Sequence, residues 1–198
     1  MNKQISFIIK LSFLFGSLVI VFSLIGFILE SEQLPPTLKF VNPIQALGFL
    51  SIEHVGGHIM WGLMVGFVTL SFRYIILTGF FAILVDADNL MKILSLEESF
   101  RMAHSFPFGI LSVVVLMLVF GRKDWRLGAI SFGAILTHMS FDIISGRSGN
   151  FRIFSPFYNE NIYFQEFYWI VLLLAGFVLV GTVTFFTRRK QQVAKIGT

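Results

Sequence analysis

Cysteine is absent from this chain, and charge is scarce. The missing cysteine excludes disulfides, thiolate zinc sites and cysteine nucleophiles, and it says little about the redox compartment. Only 13% of the 198 residues are charged, while 56% are hydrophobic. A soluble domain carries about 25% charged residues, so the balance excludes an ordinary soluble fold and predicts an integral membrane protein. No basic run sits on a soluble module, so the net charge of +4 does not point to nucleic acid. Internal repeats and low-complexity tracts are also missing, and the length suits one domain.

What is present is a series of apolar runs. The pattern predicts an all-α, polytopic membrane helix bundle with about six spans, near 5–29, 43–70, 74–94, 103–120, 127–145 and 167–187. The first run lacks a small-x-small cleavage site and reads as a retained span. Asn42-Pro43 looks like the start of the second helix, since Asn caps and Pro suits the first helical position. Gly56-Gly57 is a place for a bend. The clean apolar run of the third span ends at Val85, and the reading extends it through Asp86 and Asp88 toward Leu94. A basic turn covers Gly121 to Arg126, an aromatic-rich loop covers Gly146 to Glu166, and the tail after Thr187 reads as disordered. Six spans put both termini on one side. Ten of the fifteen Lys and Arg residues then fall on that side, which favours N-in and C-in at a cell membrane.

All four histidines, and three of the four aspartates, fall at one depth in such a bundle. They are His54, His58, His104 and His138, with Asp86, Asp88 and Asp142. At about 1.5 Å per residue from the nearest cytoplasmic turn, His58, Asp86 and His138 lie roughly 18–20 Å up, and His54, His104 and Asp142 roughly 24–25 Å up. The layer faces the extracytoplasmic side. Histidine and carboxylate are ligands of divalent metals, and ionisable side chains inside a bilayer mark functional sites by default. His54 and His58 are spaced i,i+4, as are His138 and Asp142, so each pair shares a helix face. Asp86 and Asp88 are spaced i,i+2, about 200° apart on a regular helix. Both face one centre only if the helix ends or unwinds there; alternatively one is a ligand and the other orients a histidine. The bland reading of His138 with Asp142 is an interhelical hydrogen bond, and Asp86 with Asp88 also fits a span-end cap and a solvated acid.

Arg101, Arg147 and Arg152 lie on the outer side, against the positive-inside trend. Juxtamembrane anchoring is the common use of such residues; binding a substrate phosphate is the sharper one, because guanidinium forks suit phosphate oxygens. The aromatic cluster from Phe151 to Trp169 reads as an interfacial belt, with a lip for lipid substrate as the added hypothesis. Ser105 and Ser145 sit in no nucleophile-elbow motif.

These segments resemble a family of inner-membrane-associated, metal-dependent hydrolases sometimes described as LexA-binding. The family pattern is His-x-x-x-Gly, Pro-Asp-x-Asp-His, His-Arg-Gly-x-Thr-His-Ser, His-x-x-x-Asp and a downstream Pro. Here His58 to Gly62 matches the first block, and the LVDADN stretch with Asp86 and Asp88 matches the second. The stretch RMAHS keeps His104 and Ser105 of the third, THMSFDIIS carries His138 and Asp142, and Pro156 stands for the downstream proline. The collinear match runs from His54 to Pro156. Two family histidines are replaced, by Asn89 and Ser99, and Arg101 is out of register with the family arginine. His54 is a candidate replacement ligand. The resemblance, together with a weaker likeness to zinc-dependent phospholipase C and P1-type nucleases, implies phosphoester hydrolysis.

The reading that results is a membrane-embedded hydrolase holding one to three divalent ions, zinc first, with manganese or magnesium if the carboxylates dominate. His54, His58, Asp86, Asp88, His104, His138 and Asp142 are the candidate ligands. Asp88 or Glu53 is the candidate proton acceptor, and Arg101 the candidate for steadying transition-state charge. The expected partners are the bilayer and a phospholipid or other phosphoester substrate. The rivals are a non-enzymatic protein with a structural metal site or polar lock and, last because the inner halves of the spans are nearly all apolar, a metal-ion or proton transporter.

Overall fold

The computed structural model describes residues 3–29, 51–94, 102–120, 124–146, 148–158 and 160–196. Helix α1 (Lys3–Leu29) is followed by α2 (Ile52–Phe67) and α3 (Phe72–Leu84). A 3-10 stretch (Val85–Leu94) and a 3-10 turn (Met102–His104) come next, then α4 (Phe106–Phe120) and α5 (Trp125–Ile144). A short antiparallel hairpin, β1 (Asn150–Phe151) with β2 (Ile162–Tyr163), leads into α6 (Tyr168–Ile196). The chain is therefore mostly helical, as its composition predicts. Three stretches are long and apolar enough to cross a membrane: Lys3–Gly26, Trp125–Ile144 and Tyr168–Val193.

Helix α5 is the centre of the bundle. The share of the apolar window buried is 83% in α5, against 39% in α1 and 28% in α6. It packs on α2, α3, α4 and α6, and small residues (Gly128, Ala129, Ser131, Gly133, Ala134) are buried along it. In lipid, helix association comes from close van der Waals packing, because apolar tails already solvate apolar side chains. Small residues allow that approach. Helix α1 closes the opposite flank, where Phe15 stacks on Phe81 of α3 at 4.3 Å and meets Phe108 of α4 edge-on.

The α2–α3 hairpin shows why two glycines are needed. A Cβ on Gly62 would stand 2.5 Å from the Thr78 carbonyl oxygen, and one on Gly66 2.8 Å from Ile75 Cα. The two helices touch backbone to backbone there. In the turn, Leu70 takes a φ of 48°, the Thr69 hydroxyl donates to the Gly66 carbonyl at 2.7 Å, and Arg188 from α6 donates to the Thr69 carbonyl at 2.8 Å. Nearby, Asp124 caps α5 through Leu127 N and receives the Tyr74 hydroxyl.

Several boundaries differ from the sequence reading. The proposed start at Asn42-Pro43 lies outside the described residues. The described part of that helix begins at Ile52, capped by Ser51, whose hydroxyl accepts from His54 N at 3.2 Å. Gly56-Gly57 does not interrupt it. The third span does run to Leu94, with its α-helix stopping at Leu84 and continuing as 3-10, one of the two alternatives the aspartate spacing left open. The expectation of a disordered tail after Thr187 fails for its described part, because α6 runs on to Ile196.

Candidate metal centre

The polar centre forms where helices begin or end. His54 and His58 lie in the first turns of α2, one and two turns after the Ser51 cap. Asp86 and Asp88 open the 3-10 stretch that follows α3. His104 closes the short 3-10 turn just before α4, and His138 and Asp142 lie in the last turns of α5. All seven side chains are buried, none more than 5% exposed. The i,i+2 pair of aspartates meets the same centre because the backbone tightens at Val85. At three residues per turn, Asp86 and Asp88 are re-aimed relative to an α-helix.

Asp86 is the hub. Its Oδ2 lies 2.7 Å from His54 Nε2 and 3.7 Å from His58 Nε2, and its Oδ1 lies 3.7 Å from His104 Nε2 and 3.8 Å from His138 Nε2. Asp142 stands on the other side, 3.3 Å from His58 Nε2 and 3.4 Å from His138 Nε2. Asp88 lies behind His104, with Oδ2 3.1 Å from Nδ1. The His58 and His138 rings stack face to face at 3.9 Å. Phe141 packs on His58 at 4.8 Å in space left open by Gly57, where a Cβ would fall 1.9 Å from the Phe141 ring.

Tautomers follow from the partners. A carbonyl oxygen only accepts, so the 2.7 Å contact of His138 Nδ1 with the Ala82 carbonyl puts the proton on Nδ1. The Asp88 carboxylate likewise accepts from His104 Nδ1. In the neutral rings both Nε2 atoms then carry lone pairs, and these face each other at 2.8 Å. Two lone pairs at that distance repel, and a shared cation relieves this: a proton at this spacing, or a metal ion with the nitrogens spread to about 3–4 Å.

The donor set fits a metal. Imidazole nitrogens and carboxylate oxygens are zinc ligands at roughly 2.0–2.2 Å, so atoms sharing an ion stand about 3–4 Å apart. Four overlapping triads have ligand atoms that all lie within 4.8 Å of one another: His54, His58 and Asp142; His58, Asp86 and His138; His104, His138 and Asp142; and Asp86, Asp88 and His104. Histidine ligands hold their other ring nitrogen on a carboxylate or carbonyl, as Asp88 does for His104 and Ala82 does for His138. These buried groups can hold a divalent ion.

No family model, curated protein or solved structure matches this chain.

The predicted ligand residues converge, and the other candidate residues fall elsewhere. Glu53 is exposed on the first turn of α2. Arg101 and Arg147, with Ser99, lie outside the described residues. Arg152 is half-buried, next to Phe151, whose ring lies 6.4 Å from that of His104 and nearly parallel to it. Ser105 caps α4, accepting from Phe108 N at 3.3 Å, and the Ser145 hydroxyl donates to the Asp142 carbonyl at 3.2 Å.

Sequence reasoning missed the supports. Asn89 Nδ2 donates to Asp86 Oδ1 at 2.8 Å and to the Asp86 carbonyl at 3.2 Å, so it clamps the hub. Its three-residue spacing from Asp86 was the available signal. Trp61 Nε1 donates to the Ser140 hydroxyl at 3.2 Å, and Ser140 donates to the Trp169 carbonyl at 2.7 Å, tying α2, α5 and α6 together beside the centre. Their separation in sequence leaves no such signal.

Proposed function

We propose that this chain is a membrane-embedded, metal-dependent hydrolase acting on a phosphoester or lipid-linked substrate at the extracytoplasmic side of a cell membrane. The observation that carries the reading is the convergence of seven buried His and Asp side chains, with two histidine Nε2 atoms facing each other at 2.8 Å. The motif resemblance to metal-dependent membrane hydrolases supports the same reading. Six spans with both termini inside, and zinc ahead of manganese or magnesium, complete the proposal.

His58, Asp86, His104, His138 and Asp142 would hold the ion, with His54 as a further ligand or as a donor that fixes Asp86. A divalent ion held there would supply Lewis acidity and make water more acidic, as metal-assisted hydrolysis requires. Asp88 holds the His104 ring, and the Ala82 carbonyl holds the His138 ring, so both rings enter the reaction pre-oriented. Asp88 would raise the basicity of His104 as a ligand by accepting its Nδ1 proton in a hydrogen bond. Arg152, beside Phe151 at the same end of the bundle, is the described candidate for a substrate phosphate.

A second reading is favoured by one observation: Asp86 is held by both Asn89 and His54, as in a structural polar lock. The test is turnover of a phosphoester panel by metal-loaded protein, for wild type and Asp142→Asn. The proposal expects turnover in wild type and a loss of about 100-fold or more in the variant, with the unfolding midpoint retained. Absence of turnover, or turnover untouched by Asp142→Asn, would contradict it. A variant that loses its fold instead points to the lock.

A further inference from the structure

The end of the bundle away from the His/Asp centre carries a groove of a different kind. Trp125 opens α5, and Asp142 lies 17 residues later, roughly 26 Å along the helix. Between α4, α5 and α6 at the Trp125 end lies a cavity of about 340 Å³. Val113, Met117, Trp125, Gly128, Phe132 and Val183 line it, and every lining residue is apolar or aromatic. Gly128 keeps it open, since a Cβ there would crowd Met117 Sδ and Val113 Cγ1 at 3.0 Å.

The cavity continues toward the end of α6. A second space of about 540 Å³ shares Trp125 and Val183 and is bounded by Thr187, Lys190 and Gln191. A third, of about 430 Å³, takes in Phe186, Arg189, Lys190 and Val193. From Val183 to Lys190 is about 10 Å along the helix. The lining thus changes from wholly apolar, through the amphipathic rim of Trp125, to two exposed cations. Trp favours the headgroup level of a bilayer.

The cations that border the groove differ in their commitments. Arg188 is spent on the Thr69 carbonyl at 2.8 Å. Arg189 and Lys190 are exposed and border the cavities. The nearby acid, Asp124, is occupied by the Tyr74 hydroxyl and by Arg73 at 3.7 Å, so it is already compensated.

We propose that this groove binds an anionic phospholipid from the leaflet opposite the His/Asp centre. Its acyl chain lies along Val113, Met117, Phe132 and Val183, its glycerol region lies near Trp125 and Thr187, and its phosphate is met by Arg189 and Lys190. Charge complementarity decides the occupant. An apolar slot ending in two cations matches a molecule with a long tail and a negative head, and basic pockets at helix ends on one face of a membrane protein are suited to such headgroups. The site is independent of any hydrolase activity.

The test is thermal unfolding of the full chain in neutral detergent with added lipid. Phosphatidylglycerol should raise the midpoint by about 3 °C or more. Phosphatidylcholine with the same chains, and glycerol phosphate without chains, should leave it near the lipid-free value. The double variant R189Q/K190Q should lose the preference for phosphatidylglycerol while keeping its own lipid-free midpoint, and Val183→Trp should lose the response by filling the slot. Equal effects of the two lipids, an equal effect of glycerol phosphate, or an unchanged preference in R189Q/K190Q would overturn the proposal. The double variant alters only exposed side chains, so the test stands even if Val183→Trp does not fold.

Discussion

Nε2 of His104 lies 2.8 Å from Nε2 of His138, and each ring turns its other nitrogen away, His104 toward Asp88 and His138 toward the Ala82 carbonyl. The proton-bearing nitrogens are thereby fixed on the outside and the lone pairs on the inside. A ring flip would leave the Ala82 carbonyl without its donor, and a buried polar group stripped of its partner costs about 1–3 kcal/mol. This pair therefore sets the character of the whole centre.

The support given by Asp88 to His104 is separable from ligation. Asp88→Asn keeps the size of the side chain and removes the charge. It should weaken metal affinity by about 10–100-fold, the effect of losing a carboxylate behind a histidine ligand, while the protein still folds. Titration with a competing chelator measures this. Affinity equal to wild type would show that Asp88 does not orient the ring.

Asn89 stands three residues after Asp86, at the end of the LVDADN stretch. In this chain its amide clamps Asp86 through two hydrogen bonds. Asn89→Ala should cost about 1–3 kcal/mol of stability and reduce metal affinity about tenfold. Unfolding in detergent and metal titration read the two effects separately. A neutral outcome in both would mean that the clamp is idle.

Gly62 and Gly56 make a contrasting pair on one helix. A Cβ at Gly62 meets the Thr78 carbonyl at 2.5 Å and Gly79 Cα at 2.8 Å, whereas at Gly56 nothing lies within 4 Å. Gly62→Ala should destabilise by about 1–3 kcal/mol, the range for overpacking, and should disturb the centre because His58 lies one turn away. Gly56→Ala should be neutral or stabilising by up to about 1 kcal/mol. Equal unfolding midpoints for the two variants would contradict the close approach of α2 and α3.

The lack of cysteine makes orientation easy to probe. Glu160→Cys lies in the loop at the centre's end of the bundle, and Gln191→Cys lies at the other end. With the centre facing outward, a membrane-impermeant thiol reagent should label intact cells carrying the first variant. It should label the second only after permeabilisation. The reverse pattern would invert the proposed topology.

The convergence of the ligand residues was legible because helical rise turns sequence distance into depth. Counting from the turns at Ser71, Arg73 and Arg126 puts His58, Asp86 and His138 at one level. The i,i+4 spacing then gives His54 with His58, and His138 with Asp142, a common face. The orientation of the aspartates was legible only as a condition. Their i,i+2 spacing requires the helix to end or unwind for both to face one centre, and the apolar run does stop at Val85. The pattern did not say that the winding changes to 3-10 there. The Ala82 carbonyl acceptor was hidden because a backbone acceptor carries no residue signature, whereas the Asn89 clamp had a signal in its three-residue spacing from Asp86. The helical course of α6 beyond Thr187 was missed because its basic composition resembles a solvated tail. Arg188 on that segment in fact reaches back to the α2–α3 turn.

The measurement closest to the central claim is metal content per chain by elemental analysis, on detergent-purified wild type and His138→Ala. The account predicts at least one zinc or manganese ion per wild-type chain and loss of that metal in the variant, with both proteins folded. Wild-type protein without metal, even after reconstitution with each ion, would contradict it and leave the His/Asp centre as a polar lock within the bundle.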